Sequence, residues 1–444
     1  MSRALLQFCF LIACSLTAWA QSPPSPAPAA IILLKPARII DVRTGRLLTG
    51  HAILIEGERI KEVGPASALT QHATARAVVI DLPTSTVLPG LIDCHAHLLG
   101  NLRNLSPVQP LRISSAQGTL WGFHNLQEWL AHGFTALRDA GESDIGYGQL
   151  ALRDSINSGL IPGPRMVSAG NYISVTGGHG DADLLAPDQA LAARPNLADS
   201  TEQVAVAVRH DIKYGADWIK LMATGGVQDV FSDFNTQELS EEQMAKAVEV
   251  AHRAHKHVMA HAEGADGIKA AVRAGVDSIE HGTMLDDEGA ALMAKRGAWL
   301  VPTLETFQHG AAVGTSTGQE EIEVAKTKAI LKYQKAAFQR ALANHVKIAF
   351  GVDDNPDFLA KEFPALVAGG MSPLQALQSA TIHAAELLGM ADQVGSLESG
   401  KYADIIAVGG DPLTDITILE KVVFVMKGGV VMKNVSGGLR GEVR

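Results

Sequence analysis

Between Val87 and Met390, short apolar runs alternate eight times with longer segments of helical character, and this alternation constrains the fold more than any other feature. The apolar runs are Leu88–His97, Phe134–Asp139, Arg165–Ala169, Trp218–Ala223, His257–Ala262, Ser278–His281, Trp299–Thr303 and Lys347–Asp353. Between them, Glu241–His255 carries Met244, Ala247, Val248 and Ala251 at three-and-four spacing, and Asp287–Lys295 and Glu321–Ala341 behave likewise. Eight strands, each followed by helical sequence, predict a (β/α)8 TIM barrel rather than an open doubly wound sheet. No G-x-G-x-x-G follows the first strand, which argues against a dinucleotide fold.

Both flanks of this region read as β-structure. Ile31–Leu34, Ala37–Ile40, Ala52–Ile55, Arg59–Val63 and Ala77–Ile80 are short runs punctuated by Thr44-Gly45, Glu56-Gly57 and Gly64-Pro65. Ala403–Val408, Val422–Met426 and Val430–Met432 repeat the pattern at the far end. Neither stretch is long enough for a core of its own. We therefore expect a small β-sandwich domain formed jointly by residues 31–86 and 391–444, with the barrel of residues 87–390 inserted between its halves.

The first twenty residues read as an export signal: Met1-Ser2-Arg3, an apolar stretch from Ala4 to Leu16, then Ala18-Trp19-Ala20 with cleavage before Gln21. The apolar stretch is too short for a spanning helix. A periplasmic or secreted protein is expected, with lipid attachment at Cys14 in Leu11-Ile12-Ala13-Cys14 as the alternative. Residues 21–30, rich in Pro, Ala and Ser, form a flexible linker. Loss of the signal removes Cys9 and Cys14, and the remaining Cys94 has no partner for an internal disulfide. Its apolar surroundings make it a small buried hydrophobe. With 47 acidic against 37 basic residues and 5% aromatics, the chain lacks the charge and stacking groups of a nucleic-acid binder.

Barrel active sites collect at the C-terminal strand ends, and the polar residues there form a set. The first strand closes with His95-Ala96-His97, where alternation puts both imidazoles on one face. The fourth carries Lys220 among apolar neighbours, the fifth ends in His261, the sixth in His281 and the eighth in Asp353. Singly, a strand-end histidine or aspartate is a core or cap residue. Six such residues on five strand ends read as a divalent metal centre.

These residues resemble the amidohydrolase superfamily of metal-dependent hydrolases. The resemblance rests on Leu88–His97, Ala260-His261-Ala262, Ile279–Thr283 and the Gly395–Asp404 return into the β-domain, and it covers nearly the whole mature chain. It implies that His95 and His97 bind the more buried of two metals and His261 and His281 the more exposed one. Lys220, carboxylated by CO2, would bridge them, and Asp353 would bind the buried metal and move protons to and from the bridging water. A carbamate can span two cations where an ammonium would be repelled. Zinc is the expected metal, with manganese or cobalt fitting the same ligands.

Thr176–Asp181 and Ala223–Val227 are similar to the branch holding imidazolonepropionase-related proteins and Xaa-Pro dipeptidases (prolidases). His179 in that loop is expected to hydrogen-bond a substrate carbonyl or carboxylate. The implied reaction is hydrolysis of an amide to a C-terminal amino acid, as in Xaa-Pro dipeptides or aromatic N-acyl amino acids such as ochratoxin A. The alternatives are a one-metal deaminase or a cyclic amide or lactone hydrolase of the same superfamily, and a non-catalytic scaffold. The expected partners are a small-molecule or dipeptide substrate and further copies of the chain in a homo-oligomer, with no membrane span.

Gln228–Asn235 carries no transferable substrate-selecting residue, although Phe231 and Phe234 hint at an aromatic-tolerant pocket. Leu184–Ser200 is a candidate lid. Asp354, the His252/His255/His257 group and the acidic run Glu238–Glu242 are expected to have loop, surface and helix-start roles.

Overall fold

The computed structural model describes residues 30–73, 77–186, 188–189 and 196–435. The export signal, most of the linker and the middle of the candidate lid lie outside the described residues. Among the described residues, no helix is long and apolar enough to cross a membrane.

Eight parallel strands line the centre of the molecule: β1 (Leu91–Ala96), β2 (Phe134–Asp139), β3 (Arg165–Ser168), β4 (Trp218–Met222), β5 (His257–Ala262), β6 (Ser278–His281), β7 (Trp299–Val301) and β8 (Lys347–Ile348). They pair in sequence order as β1–β2–β3 and β4–β5–β6–β7–β8. Two sets of backbone contacts join these groups. Ala169 bridges Trp218 in parallel and the Ile173 amide donates to the Lys220 carbonyl at 2.8 Å. On the other side, the Cys94 amide donates to Phe350 O at 2.8 Å and the Asp353 amide to His95 O at 2.9 Å. The result is a (β/α)8 barrel.

Every residue of β1, β2 and β4 is buried, as a ring of strands enclosed by helices requires. The helices bury small and branched faces. Glu241–Arg253 turns Met244, Ala247, Val248 and Ala251 inward, and its start is fixed by a capping box between Ser240 and Gln243. Ser200 and Gln203 repeat the device on Thr201–Lys213.

A second layer is an eight-stranded sheet drawn from both chain ends. Its long strand Val78–Pro89 pairs in parallel with Ile31–Asp41 and antiparallel with Ile405–Val408. A register shift between Pro36 and Arg38 bends the first strand, and the sheet wraps as a β-sandwich around Leu34, Ile53, Ile80, Ile405 and Phe424. Tyr402 fastens this layer to the barrel. Arg165 of β3 lies over its ring at 3.4 Å and Arg59 at 4.1 Å, while Arg165 also pairs with Asp404 at 3.0 Å.

The structure corrects the sequence reading at element edges. Leu88 and Pro89 belong to the outer sheet, and β1 begins only after Gly90. A Cβ at Gly90 would fall 2.1 Å from Thr135 Oγ1, so the chain can cross from layer to layer only with glycine there. The eighth strand has two residues instead of seven, because Phe350–Asp353 leaves β7 and hydrogen-bonds irregularly to β1. The strand Arg46–Thr49 and the helix Ala66–His72 are further elements of the outer layer, beyond the β-runs legible in the sequence.

Candidate metal centre

All six strand-end residues line one cleft of about 300 Å³ at the C-terminal mouth of the barrel. His95 is 1% exposed, Lys220 1%, His261 4% and His281 5%. The imidazole centroids of His95 and His97 are 5.4 Å apart, those of His95 and His281 5.0 Å, and those of His261 and His281 4.7 Å. Asp353 stands among them, with Oδ1 3.5 Å from His97 Nε2 and 3.7 Å from His95 Nε2, and Oδ2 4.0 Å from His281 Nε2.

The ring nitrogens are sorted by their second partners. His97 Nδ1 donates to the Gly141 carbonyl at 2.7 Å, and His261 Nε2 donates to the Gly225 carbonyl at 3.1 Å. His95 Nδ1 donates to Glu280 Oε2 at 2.7 Å, and His281 Nδ1 meets Thr303 Oγ1 at 2.7 Å. Because a carbonyl or carboxylate only accepts, the opposite nitrogens of His95, His97 and His261 keep a lone pair in the neutral ring. Burial first, then the charge of Lys220, pulls His97 down to about 4 and His95 well below the ordinary range. Burial also lowers His261 and His281, with neighbouring imidazoles next in effect. Neutral imidazoles of fixed tautomer are the form that ligates metal.

One of these atoms tests the fit directly. His95 Nε2 is buried with no hydrogen-bond partner, a costly arrangement unless something accepts its lone pair. Ligand atoms of His95, His281 and Asp353 lie within 4.8 Å of one another, close enough to hold an ion. The donor set fits a metal.

Backbone conformation aims these groups. His281 (φ 72°) and Asp353 (φ 57°) are in the left-handed region, where the chain turns sharply off its strand. Gly351 is wedged between β7 and β1, since a Cβ there would lie 2.3 Å from Val301 Cγ1 and 2.8 Å from His95 Cβ.

His179 enters from the loop after β3. Its ring lies 4.4 Å from that of His261, and Nδ1 is 2.7 Å from Asp229 Oδ2. Asp229 was not singled out by sequence, which carries no signal that Gln228–Asn235 folds back onto His179. Glu238 departs from its expected helix-start role: it precedes the cap Ser240, and its carboxylate accepts the His179 amide at 3.0 Å. Asp354, read as a loop residue, accepts from His309 Nδ1 at 2.6 Å, and the His309 ring stacks on Phe358. The cleft wall contains Phe307, while Phe231 is half-exposed and Phe234 packs on a cluster around Val227 and Ile330. Cys94 is buried and its thiol is pushed up by burial, so it has no nucleophilic character. His252 and His257 pair with Asp277 at 2.9 Å and 3.1 Å on the surface at the start of β5.

Comparison with known proteins agrees with this geometry. The ochratoxinase of Aspergillus niger is 32% identical over 94% of this chain and 91% of its own length, and its crystal structure superposes with a TM-score of 0.81 at 29% identity, covering 94% of this chain and 98% of that one. A Xaa-Pro dipeptidase solved with methionine in its active site gives a TM-score of 0.83 at 34% identity, covering 90% of this chain and 99% of that chain. The imidazolonepropionase of Pseudomonas fluorescens is 27% identical, over 81% of this chain and 88% of its own. Residues 86–434 match the amidohydrolase family model, and the chain is a member of the amidohydrolase family, hydrolases of amide carbon–nitrogen bonds.

Proposed function

We propose that the protein is an exported, binuclear-metal amidohydrolase that cleaves an amide bond to a C-terminal amino acid, in a Xaa-Pro dipeptide or an aromatic N-acyl amino acid such as ochratoxin A. The observation that carries this reading is the sorting of the imidazoles around Asp353 and Lys220, with one nitrogen of each held by the protein. The names of the ochratoxinase and Xaa-Pro dipeptidase relatives support the substrate class.

In this reading His95, His97 and Asp353 would hold one ion, and His261 and His281 the other. Lys220, carboxylated by CO2, would supply them an anionic ligand with two oxygens in place of a buried ammonium, which two cations would repel. Zinc is the expected ion, and when bound the pair activates water and polarises the substrate carbonyl. Asp353 takes a proton from the attacking water and returns it to the departing amine, as its place among the ligands allows. His179 contacts the substrate carbonyl or carboxylate from the side of His261.

The test is amino-acid release by the chain from Gln21 onward, expressed with zinc and bicarbonate. Xaa-Pro, Xaa-Arg/Lys and aromatic N-acyl amino acids serve as substrates, with mass-spectrometric readout. Release of one amino-acid class, lost in Asp353→Asn, supports the proposal. No release from a protein that still binds two metals overturns it and favours lactones or cyclic amides.

A further inference from the structure

We infer that Asp229 is a positioning residue that holds the His179 imidazole toward the substrate; this rests on the reading of His179 as a substrate contact. The two oxygens of Asp229 serve different partners. Oδ1 accepts the amides of Phe231 at 2.8 Å and Ser232 at 2.6 Å, which folds its own loop. Oδ2 accepts from His179 Nδ1 at 2.7 Å and from the Ser232 hydroxyl at 2.5 Å. A carboxylate that only shaped its loop would bind the Phe231 and Ser232 groups and have no need of His179, 50 residues away.

The ring is fixed on its other sides as well. A Cβ at Gly226 would come within 2.4–2.6 Å of the His179 ring atoms, so the imidazole lies flat on that backbone. His261 packs on the ring, and its own Nε2 is tied to the neighbouring Gly225 carbonyl. The His179 amide is held by Glu238. With Nδ1 committed to Asp229, Nε2 is the nitrogen left for the cleft that His179 lines.

Asp229 is in turn anchored to a distant part of the chain. Lys326, on the helix Glu321–Ala343, lies 3.4 Å from Oδ1 and donates to the Ser232 carbonyl at 3.0 Å. The loop after β4 and the helix that precedes β8 are thereby registered against the loop after β3. Only 8% of Asp229 is exposed, so this geometry is held away from solvent.

The experiment is a double-mutant cycle with His179→Ala, Asp229→Ala and the pair combined, each assayed for kcat and KM and for bound zinc. Asp229→Asn, which retains an oxygen for Nδ1 without the charge, serves as the conservative variant. The expected result is a loss of about 10- to 100-fold in kcat for Asp229→Ala, the range for a residue that orients a histidine. The loss is smaller in Asp229→Asn, the double variant is no worse than His179→Ala, and zinc content is unchanged. Additive losses, or zinc lost with Asp229→Ala, overturn the inference. A readout without substrate separates it from the functional reading: in 15N-histidine-labelled zinc protein, the His179 Nδ1–H proton resonance, identified by its loss in His179→Ala, disappears in Asp229→Ala. Its persistence there overturns the inference even if no amidase activity is found.

Discussion

Glu280 Oε2 lies 2.7 Å from His95 Nδ1, and Glu280 Oε1 lies 2.8 Å from Arg138 Nη2, with both side chains of that ion pair fully buried. Arg138 also donates to the Cys94 carbonyl at 2.7 Å and to Ser278 Oγ at 3.1 Å, and lies over the Trp218 ring. The strand-end imidazole is therefore oriented by a charge chain that crosses the barrel interior from β2 through β6 to β1. Removing one member leaves an uncompensated buried charge, which costs about 3–5 kcal/mol. Arg138→Met should therefore unfold at markedly lower temperature than the parent in calorimetry. Glu280→Gln keeps an acceptor but loses the charge, and zinc affinity should fall about 10- to 100-fold in competition with a chelator. Unchanged affinity would mean that Glu280 serves packing alone.

Lys220 is a buried amine drawn down by desolvation, with the charges of Glu280 and Asp353 working the other way. Lys220→Met matches its length and removes the nitrogen that a carbamate requires. On the binuclear proposal, metal per chain, measured by atomic emission, should be two in the parent and one or fewer in the variant, and only the parent's activity should respond to bicarbonate. Full activity with one metal would favour the deaminase reading.

Asp353 occupies the left-handed region at φ 57°. Asparagine tolerates that conformation better than alanine does, so Asp353→Asn tests the proton-transfer role with little added backbone strain. Turnover should fall about 10²- to 10⁴-fold, while circular dichroism and the unfolding temperature stay close to the parent. Retained turnover would remove Asp353 from the proton path.

A pH test lies at the opposite end of the barrel. The hydrogen bond that His257 donates to the Asp277 carboxylate raises its imidazole above the usual 6.5. Burial opposes the charge of Asp277, but His257, His252 and the Val258 amide outweigh it and lower the carboxyl below its usual 3.8. The His257 contribution is present below 6.5 and fades as pH rises through its raised value; the Asp277 contribution is present above 3.8 and fades as pH falls. Asp277→Asn should therefore lower the unfolding temperature more at pH 5.5 than at pH 8.5. An equal drop at both values would show that charge plays no part.

Much of this protein is written in local pattern. Strand-and-helix alternation is a nearest-neighbour property, so eight runs of buried residues announced a barrel. Period-two alternation in His95-Ala96-His97 set two imidazoles on one face before any contact was known. His95, His97, Lys220, His261, His281 and Asp353 are legible because each lies near or just beyond the C-terminal end of a barrel strand, and those ends converge. Helix starts at Ser200 and Ser240 are equally local, since a capping box needs only four residues.

Tertiary structure alone decided the partners of these groups. Glu280 and His95 are 185 residues apart in the chain, and His179 and Asp229 are 50 apart. No periodicity links such pairs, because a hydrogen bond across a barrel depends on where two strands or loops come to rest. The same holds for His309 with Asp354 and for Lys326 with Asp229. Phe231 and Phe234 show the converse: their composition suggested a pocket, but packing placed Phe307 in the cleft instead. The sequence determined which residues gather near the mouth of the barrel, since the order of strands and alternation along them dictate that. Only the closed fold decided which nitrogen of each imidazole is held and which is left for a ligand, because that depends on acceptors brought in from distant strands and loops.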